Sequence, residues 1–470
     1  MVSGLSHALL LSMLVGGRVD AAGPPFKWAT SAGGYGDDGA LGLATDGAGG
    51  TFIAGNFEDI GNFGLTGISS NGGTDGFLAH VTGGGTIDWA IGMGGTDNDQ
   101  ARAVAPCSED GGAFATGFFT GSGPAFFGAS NLTGLGSENA FVTHVDAAGN
   151  VEWATGPVGS PGSSARGLGI ATDGADGAFV VGQFHGSITC GSTVLTSAAA
   201  GSQRSIFVMR VGHTGSVTWA VAVGGSVDQY EYAGVVPCGD ADGGVLVTSS
   251  FEGTASFGST VLTSIGTNAF VMHVQAAGNI TWAADVNVSS SLSDAGGYDL
   301  ASDGAYGAYV TGLLQGAANF GQTTLQSTSN DDTFVMHVGA TGVIDWAVRP
   351  VQGSPNRGHG IAADGAGGVL LAGSFEGAAW FGTSYLASPG GSAAYLLHLD
   401  AAHNVDWANI MDGDTLGSAA TAIMSDGAGG AFATGYFHDS IGNNPTLGAV
   451  NLSATGTGIE AWVAPSLNLP

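Results

Sequence analysis

The stretch TIDWAIG, residues 86–92, sets one tryptophan behind a Thr-Ile-Asp run. Nearly the same phrase returns as VEWATG (151–156), VTWAVA (217–222), ITWAAD (280–285), IDWAVR (344–349) and VDWANI (405–410). One more copy, FKWATS (26–31), stands alone near the N-terminus. The Trp-Ala pairs begin at Trp28, Trp89, Trp153, Trp219, Trp282, Trp346 and Trp407, at spacings of 61, 64, 66, 63, 64 and 61 residues. A near-constant period of this size marks a repeat architecture.

Other phrases keep step. ATDGAGGTFIAG (44–55) recurs at 171–182, 301–312, 362–373 and 424–435, and DGFLAHV (75–81) returns in each unit, ending with EAWVAPS (460–466). The first unit holds four short runs: GALGLATD, TFIAGNF, GFLAHVT and TIDWAIG. Each alternates apolar with small or polar residues between Gly- and Asp-rich turns, the pattern of β-strands, and no stretch has a helical period. Four antiparallel strands repeated seven times predict an all-β fold, a seven-bladed β-propeller over residues 23–470. The last unit ends at Pro470 without a Trp-Ala strand of its own, and the spare copy sits at the other end of the chain. The N-terminal strand, residues 26–31, is therefore expected to close the last blade beside 460–466. This would seal the ring and remove an open sheet edge. The tryptophans are expected to pack between neighbouring sheets.

The order D-G-x-G-G-x-x-x-x-G-x-F, then F-G-x-x-x-L-x-S, then D-x-F-V-x-H-V-x-x-x-G-N-V-x-W resembles the SBBP-type β-propeller repeat of secreted bacterial proteins. The resemblance spans roughly 26–466 and implies an extracellular propeller. It supplies no catalytic residues.

The bulk chemistry narrows the functions. Eight Lys plus Arg stand against 38 Asp plus Glu, for a net charge of −30, so nucleic acid and anionic lipid should be repelled over most of the surface. The run ALLLSMLV (8–15) followed by small residues reads as a signal peptide over 1–22 and predicts a secreted or cell-surface monomer. It is too short to span a bilayer as a helix, and no later run is suitable. Three cysteines, Cys107, Cys190 and Cys238, make no disulfide framework. Cys107 and Cys238 share a register in units too far apart to bridge, and Cys190 stands where other units place the buried Phe of a Phe-Gly pair.

His80, His144, His273, His337 and His398 recur at one register, which places them on different sheets about 10 Å or more apart. Such a row cannot surround one ion, and local hydrogen bonding is expected instead. The Asp of each D-G turn, Asp46 among them, is expected to bond its own backbone. No cofactor or metal is expected, with calcium in the acidic loops as the alternative. The connections from fourth to first strand carry Asp37, Asp38, Asp97, Asp99, Asp228, Glu231, Asp412 and Asp414, with Tyr35, Tyr230 and Tyr232 among them. These and the second-to-third connections share one variable face, where binding is expected. Arg102, Arg166 and Arg357, with His359, are placed at one register where the innermost strand leaves that face. Grouped at a channel mouth, they could grip a carboxylate or sulfate. The candidate binding residues are Arg102, Arg166, Arg357, His359, Tyr35 and Tyr230. The leading expectation is a non-catalytic binding or adhesion module for an extracellular glycan or protein. The alternatives are a polysaccharide-acting enzyme, which needs paired carboxylates, and a structural matrix component.

Overall fold

The computed structural model describes residues 25–470 apart from 35, 122, 175–176, 199–202, 228–231, 413–416, 427–429, 439–445, 448–449, 452–458 and 466–470. Strands alone make up the regular structure of the described residues. In the first unit Gly39–Thr45 pairs with Thr51–Phe63, that strand with Thr66–Val81, and that with Ile87–Gly94, all antiparallel. The same four-step meander starts again from Gln100–Pro106, Ser164–Thr172, Gly234–Pro237, Asp294–Ser302 and Asn356–Ala363. The first strand of each unit lines a central cavity, which gives a β-propeller-like arrangement of sheets.

The last meander runs Ser418–Ser425, Ala431–His438 and Ile459–Pro465, and its fourth strand comes from the start of the chain. Thr30, Ser31 and Ala32 pair antiparallel with Val463, Trp462 and Ala461, and the Lys27 N–H donates to the Pro465 carbonyl at 3.1 Å. Phe26 is buried in the same core as Trp407 and Trp462. The segment closes its sheet in the place the count of phrases requires.

Two expectations are corrected. Hydrogen bonding does not separate the units into seven sheets; the ladders join into six, of 4, 16, 3, 6, 3 and 7 strands. The cause lies in the second-to-third connections, which are not open loops. Each is a short hairpin that pairs back onto the end of the preceding unit's fourth strand, as Phe127 does on Met93 and Thr189 on Val158. Its turn depends on glycine at positive φ, between +57° and +61° at Gly64, Gly128, Gly191, Gly258, Gly321 and Gly382, where a side chain would be strained. The residue before each glycine is buried: Phe63, Phe127, Cys190, Phe257, Phe320 and Phe381. Cys190 takes the Phe place, as expected.

The recurring Trp is a staple between units. Nε1 of Trp28, Trp89, Trp153 and Trp219 donates to Gly83, Ala147, His213 and Ala276 carbonyls in the next unit's turn, at 3.0, 3.2, 2.6 and 2.7 Å. The indole lies so close to Gly85, Gly149, Gly215, Gly278 and Gly342 that a Cβ there would fall 2.6–3.0 Å from ring carbons. In the unit after Trp346 the glycine is replaced by His403, whose ring stacks on that indole with centroids 3.8 Å apart.

The histidine row bonds locally. His337 joins Asp303 through Nε2 and Asp345 through Nδ1, both at 2.9 Å. His80 links Asp46 and Asp88, and His398 links Asp364 and Asp406, in the same way. Arg210 reaches Asp173 from the same position. Each ring ties the D-G turn to the residue just before the Trp. Asp303 Oδ1 also accepts from the N–H groups of Ala305 and Gly307, at 2.6 and 2.9 Å. Burial raises this carboxyl, but His337 and the two backbone donors outweigh it and hold it below the usual range. His337→Leu should strand the partly buried Asp303 and destabilise the fold by about 1–3 kcal/mol. Urea unfolding at pH 7 measures this, and an unchanged midpoint would rule the relay out as a structural element.

Candidate functional site

Every inner strand contributes to a central cavity of about 500 Å³. Each inner strand except the short Gly234–Pro237 has its register shift at the same step, so in six units one bulged residue turns toward the axis. A bulge re-aims the side chain it carries. Leu41, Arg102, Leu168, Tyr298, His359 and Thr421 hold that position.

This corrects the register of the arginines. Arg166 opposes Gln183 and Arg357 opposes Ser374, one step before a paired glycine. Arg102 stands two residues further along, between Ala101 and Ala103, at the bulge that His359 occupies in its own unit. Arg102 and His359 therefore line the cavity, while Arg166 and Arg357 stand outside the lining. Arg166 pairs with Glu138, which also takes Arg204 at 2.6 Å. Arg357 grips Asp331 through Nε and Nη2 at 2.8 and 2.5 Å; burial works against its charge, but Asp331 outweighs this and raises it. Arg102 and Arg166 lie 5.9 and 4.6 Å from the centroid of the Phe118 ring, within cation–π reach. Tyr35 and Tyr230 lie outside the described residues, as do Asp228, Glu231 and Asp414.

Two of the acidic residues in the fourth-to-first connections are structural. Asp38 accepts from the N–H of Gly34 and Glu58 at 2.6 and 3.0 Å. Asp99 accepts from Gly95 and Thr120 at 2.5 and 2.8 Å. Both are buried and fold their own loops.

Tyr298, Asp299 and Tyr436 also line the cavity, and none was singled out from the sequence. Tyr232 stacks on Tyr298 with centroids 4.0 Å apart, and the His359 ring stands beside both, 6.1 Å from Tyr232 and 6.3 Å from Tyr298. Asp299 occupies a register held elsewhere by Gly42, Ala103, Gly169, Gly234, Gly360 and Ala422. It is the one carboxylate among the described lining residues. Aligning the units backward from the D-G turn would have exposed it.

The cavity's low polarity moves these groups. Burial pushes the Asp299 carboxyl up to about 6, against the Ile361 and Leu300 N–H groups. Burial, with Arg357 in the same sense, pulls the His359 imidazole down to about 4; its Nε2 meets Ser374 Oγ at 3.0 Å. Burial lowers Arg102 to about 10, with Tyr232 and Glu138 opposing and Arg166 adding to it. At pH 7 the cavity thus presents a cationic Arg102, a neutral His359 and a largely ionised Asp299.

No family model and no curated protein matches the chain. Among solved structures, it is similar to a protein of unknown function from Bacteroides caccae, with 10% identity and a TM-score of 0.36 over 71% of this chain and 89% of that one. It is similar to another protein of unknown function, from Dyadobacter fermentans DSM 18053, with 11% identity and a TM-score of 0.42 over 95% and 100% of the two chains. A third is the rhamnogalacturonan lyase PL11 of Bacillus licheniformis, with 12% identity and a TM-score of 0.28 over 93% and 76%. Likeness at this level says nothing about what the chain binds or does.

Proposed function

We propose that the chain is an exported, non-catalytic binding module whose meanders form the seven blades of one ring, each of the SBBP repeat type. Its ligand is an acidic glycan, which places a carboxylate or sulfate on Arg102 in the central cavity. The observation that carries this reading is Arg102 itself. It lines the cavity of a chain with a net charge of −30 and only eight Lys plus Arg. An anionic ligand has little else on such a surface to attract it. Arg102 offers a planar fork suited to a carboxylate or sulfate. Asp299 can accept sugar hydroxyls, and the Tyr232, Tyr298 and Tyr436 rings supply apolar walls, which favours a glycan over a free inorganic anion. The enzyme alternative needs two carboxylates facing one bond, and Asp299 stands without a second acid among the described lining residues.

The test compares uronate- and sulfate-bearing oligosaccharides with their neutral counterparts on the full chain by calorimetry. Acidic oligosaccharides should bind more tightly. Arg102→Leu, which installs the residue of Leu41 and Leu168, should weaken that binding by about 10-fold or more. Equal binding of acidic and neutral sugars, or an unaffected Arg102→Leu, would dismiss the reading.

A further inference from the structure

The opposite, turn-bearing end of the molecule holds a cluster that the sequence reading did not assemble. In most units the first residue after the inner strand is the aspartate of the D-G turn: Asp46, Asp173, Asp303, Asp364 and Asp426. In the unit that begins at Gln100 this residue is Cys107, whose N–H still closes the turn on the Gly112 carbonyl at 2.8 Å. The relay histidine of that unit, His144, is fully buried. Its Nδ1 meets Glu152 Oε2 at 3.1 Å, while its Nε2 makes no hydrogen bond. The next unit sends a second histidine into the same place. His213 sits on the turn anchored by Trp153, and its ring centroid is 5.0 Å from that of His144. Its buried Nδ1 likewise makes no hydrogen bond, with Glu109 Oε2 standing 3.3 Å away.

The donor atoms of Cys107, His144 and His213 all lie within 4.8 Å of one another. Asp110 Oδ2 stands 3.3 Å from His144 Nε2 and can be the fourth donor. We propose that Cys107, His144, His213 and Asp110 bind one divalent ion of the zinc class, which clamps two neighbouring units together at their turn ends.

The chemistry fits at each level. A thiolate, two imidazoles and a carboxylate form a tetrahedral set for a borderline-soft ion. Tetrahedral zinc at its usual bond lengths separates its donors by about 3.3–3.7 Å, so Cys107, His144 and His213 need only contract slightly, while the exposed Asp110 swings in from beside His144 to complete the set. Glu152 on the far nitrogen of His144 is the carboxylate–histidine arrangement that orients a ligating imidazole. The donors come from two units, so the ion would hold the seam between them.

The molecule contains its own control. Cys238 occupies the same turn position in another unit, 3.5 Å from His273 Nε2, with Asp240 3.0 Å from that nitrogen. The residue equivalent to His213 on the following turn is there Ala340, and Ala147, Ala276 and Ala401 fill the place elsewhere. The second histidine is thus unique to one seam, and alanine is an accepted residue at its position.

The test uses the full chain and Co²⁺ as an optical probe, with Zn²⁺ competition. One Co²⁺ per chain should give tetrahedral absorption with a thiolate-to-metal charge-transfer band, displaced by Zn²⁺. Cys107→Ser should abolish the band, and Cys238→Ser should leave it intact. Glu152→Gln should weaken binding by about 10–100-fold, as loss of an orienting partner does. His213→Ala should weaken binding further still while circular dichroism stays unchanged. Absence of a thiolate band, or a band that survives Cys107→Ser or His213→Ala with unchanged affinity, overturns the assignment. So does a band lost in Cys238→Ser.

Discussion

A chain lacking residues 25–32 is expected to unfold in one cooperative step at a much lower denaturant concentration than the full chain. The segment removes three things at once. Its strand covers the edge of Ile459–Pro465, through pairing at Thr30, Ser31 and Ala32. Phe26 fills the core shared by Trp407, Met411, Phe437 and Trp462. Trp28 packs 6.3 Å from Phe432 and donates to Gly83 of the neighbouring unit at 3.0 Å. Truncating one buried Phe alone costs about 3–5 kcal/mol; with the indole and the lost pairing the total should exceed about 5 kcal/mol. Since domains hold only about 5–15 kcal/mol, the shortened chain should sit near its unfolding midpoint. Phe26→Ala keeps the strand and should lose only its own share. Guanidinium titration followed by tryptophan fluorescence separates the outcomes. A shortened chain with the parent's midpoint would deny the closure. A two-step transition, with one unit lost first, would show units of independent stability rather than a sealed ring.

The closure could be read from sequence because it depends on counting phrases, and a phrase such as FKWATS carries its strand identity in local pattern. The Trp staple and the histidine relay were legible for a related reason. Each repeats at one register, so the bonding of His337 is also that of His80 and His398. The outer hairpins were not legible. Their pairing partner lies in the preceding unit, and nothing in NFGLTG says that the strand before it will be covered. The arginine register failed on a smaller point. The fourth-to-first connections differ in length, so a count forward from the Trp is displaced: Trp89 to Arg102 and Trp153 to Arg166 both span 13 residues, whereas a count back from the D-G turn places Arg102 beside His359. Asp299 and the Cys107 cluster escaped because each occurs once, and single departures from a repeat stand out only after the units are aligned in space.

One such departure should set the pH response of the whole fold. Asp75 and Asp99 are both buried and come together beside Gly94, with Asp75 Oδ1 making no hydrogen bond. Burial pushes Asp75 up to about 7, with the Asn71 N–H opposing and the Asp99 charge adding to the rise. Burial likewise lifts Asp99 to about 6, against the Gly95 and Thr120 N–H groups. A carboxyl raised above its unfolded value of 3.8 holds its proton longer in the folded chain. Between pH 4 and pH 7 the folded state therefore binds more protons than the unfolded one, and stability falls as pH rises through that window. Asp46, Asp303 and Asp364 act in the opposite sense. Burial raises them, but their histidine and backbone partners hold them low, so their contribution is present above 3.8 and lost only in stronger acid. Asp299, lifted to about 6 by burial, adds to this fall, and His359, pulled down to about 4 by burial, opposes it, so the limb above pH 6 is the part that belongs to the Asp75–Asp99 pair. The position of Asp75 is held by Asn139 and Asn268 in two other units, and Asn268 donates to the Asp285 carboxylate at 2.7 Å. Asp75→Asn should place the same donor against Asp99 and remove the need for a shared proton. At pH 8 the variant should be more stable than the parent by on the order of 2 kcal/mol, and its stability should vary much less between pH 5 and pH 8. The acid limb below pH 4 should be common to both chains. Unfolding midpoints measured at each pH decide the matter, and parallel curves for the two chains across pH 5–8 would show that the pair does not govern the response.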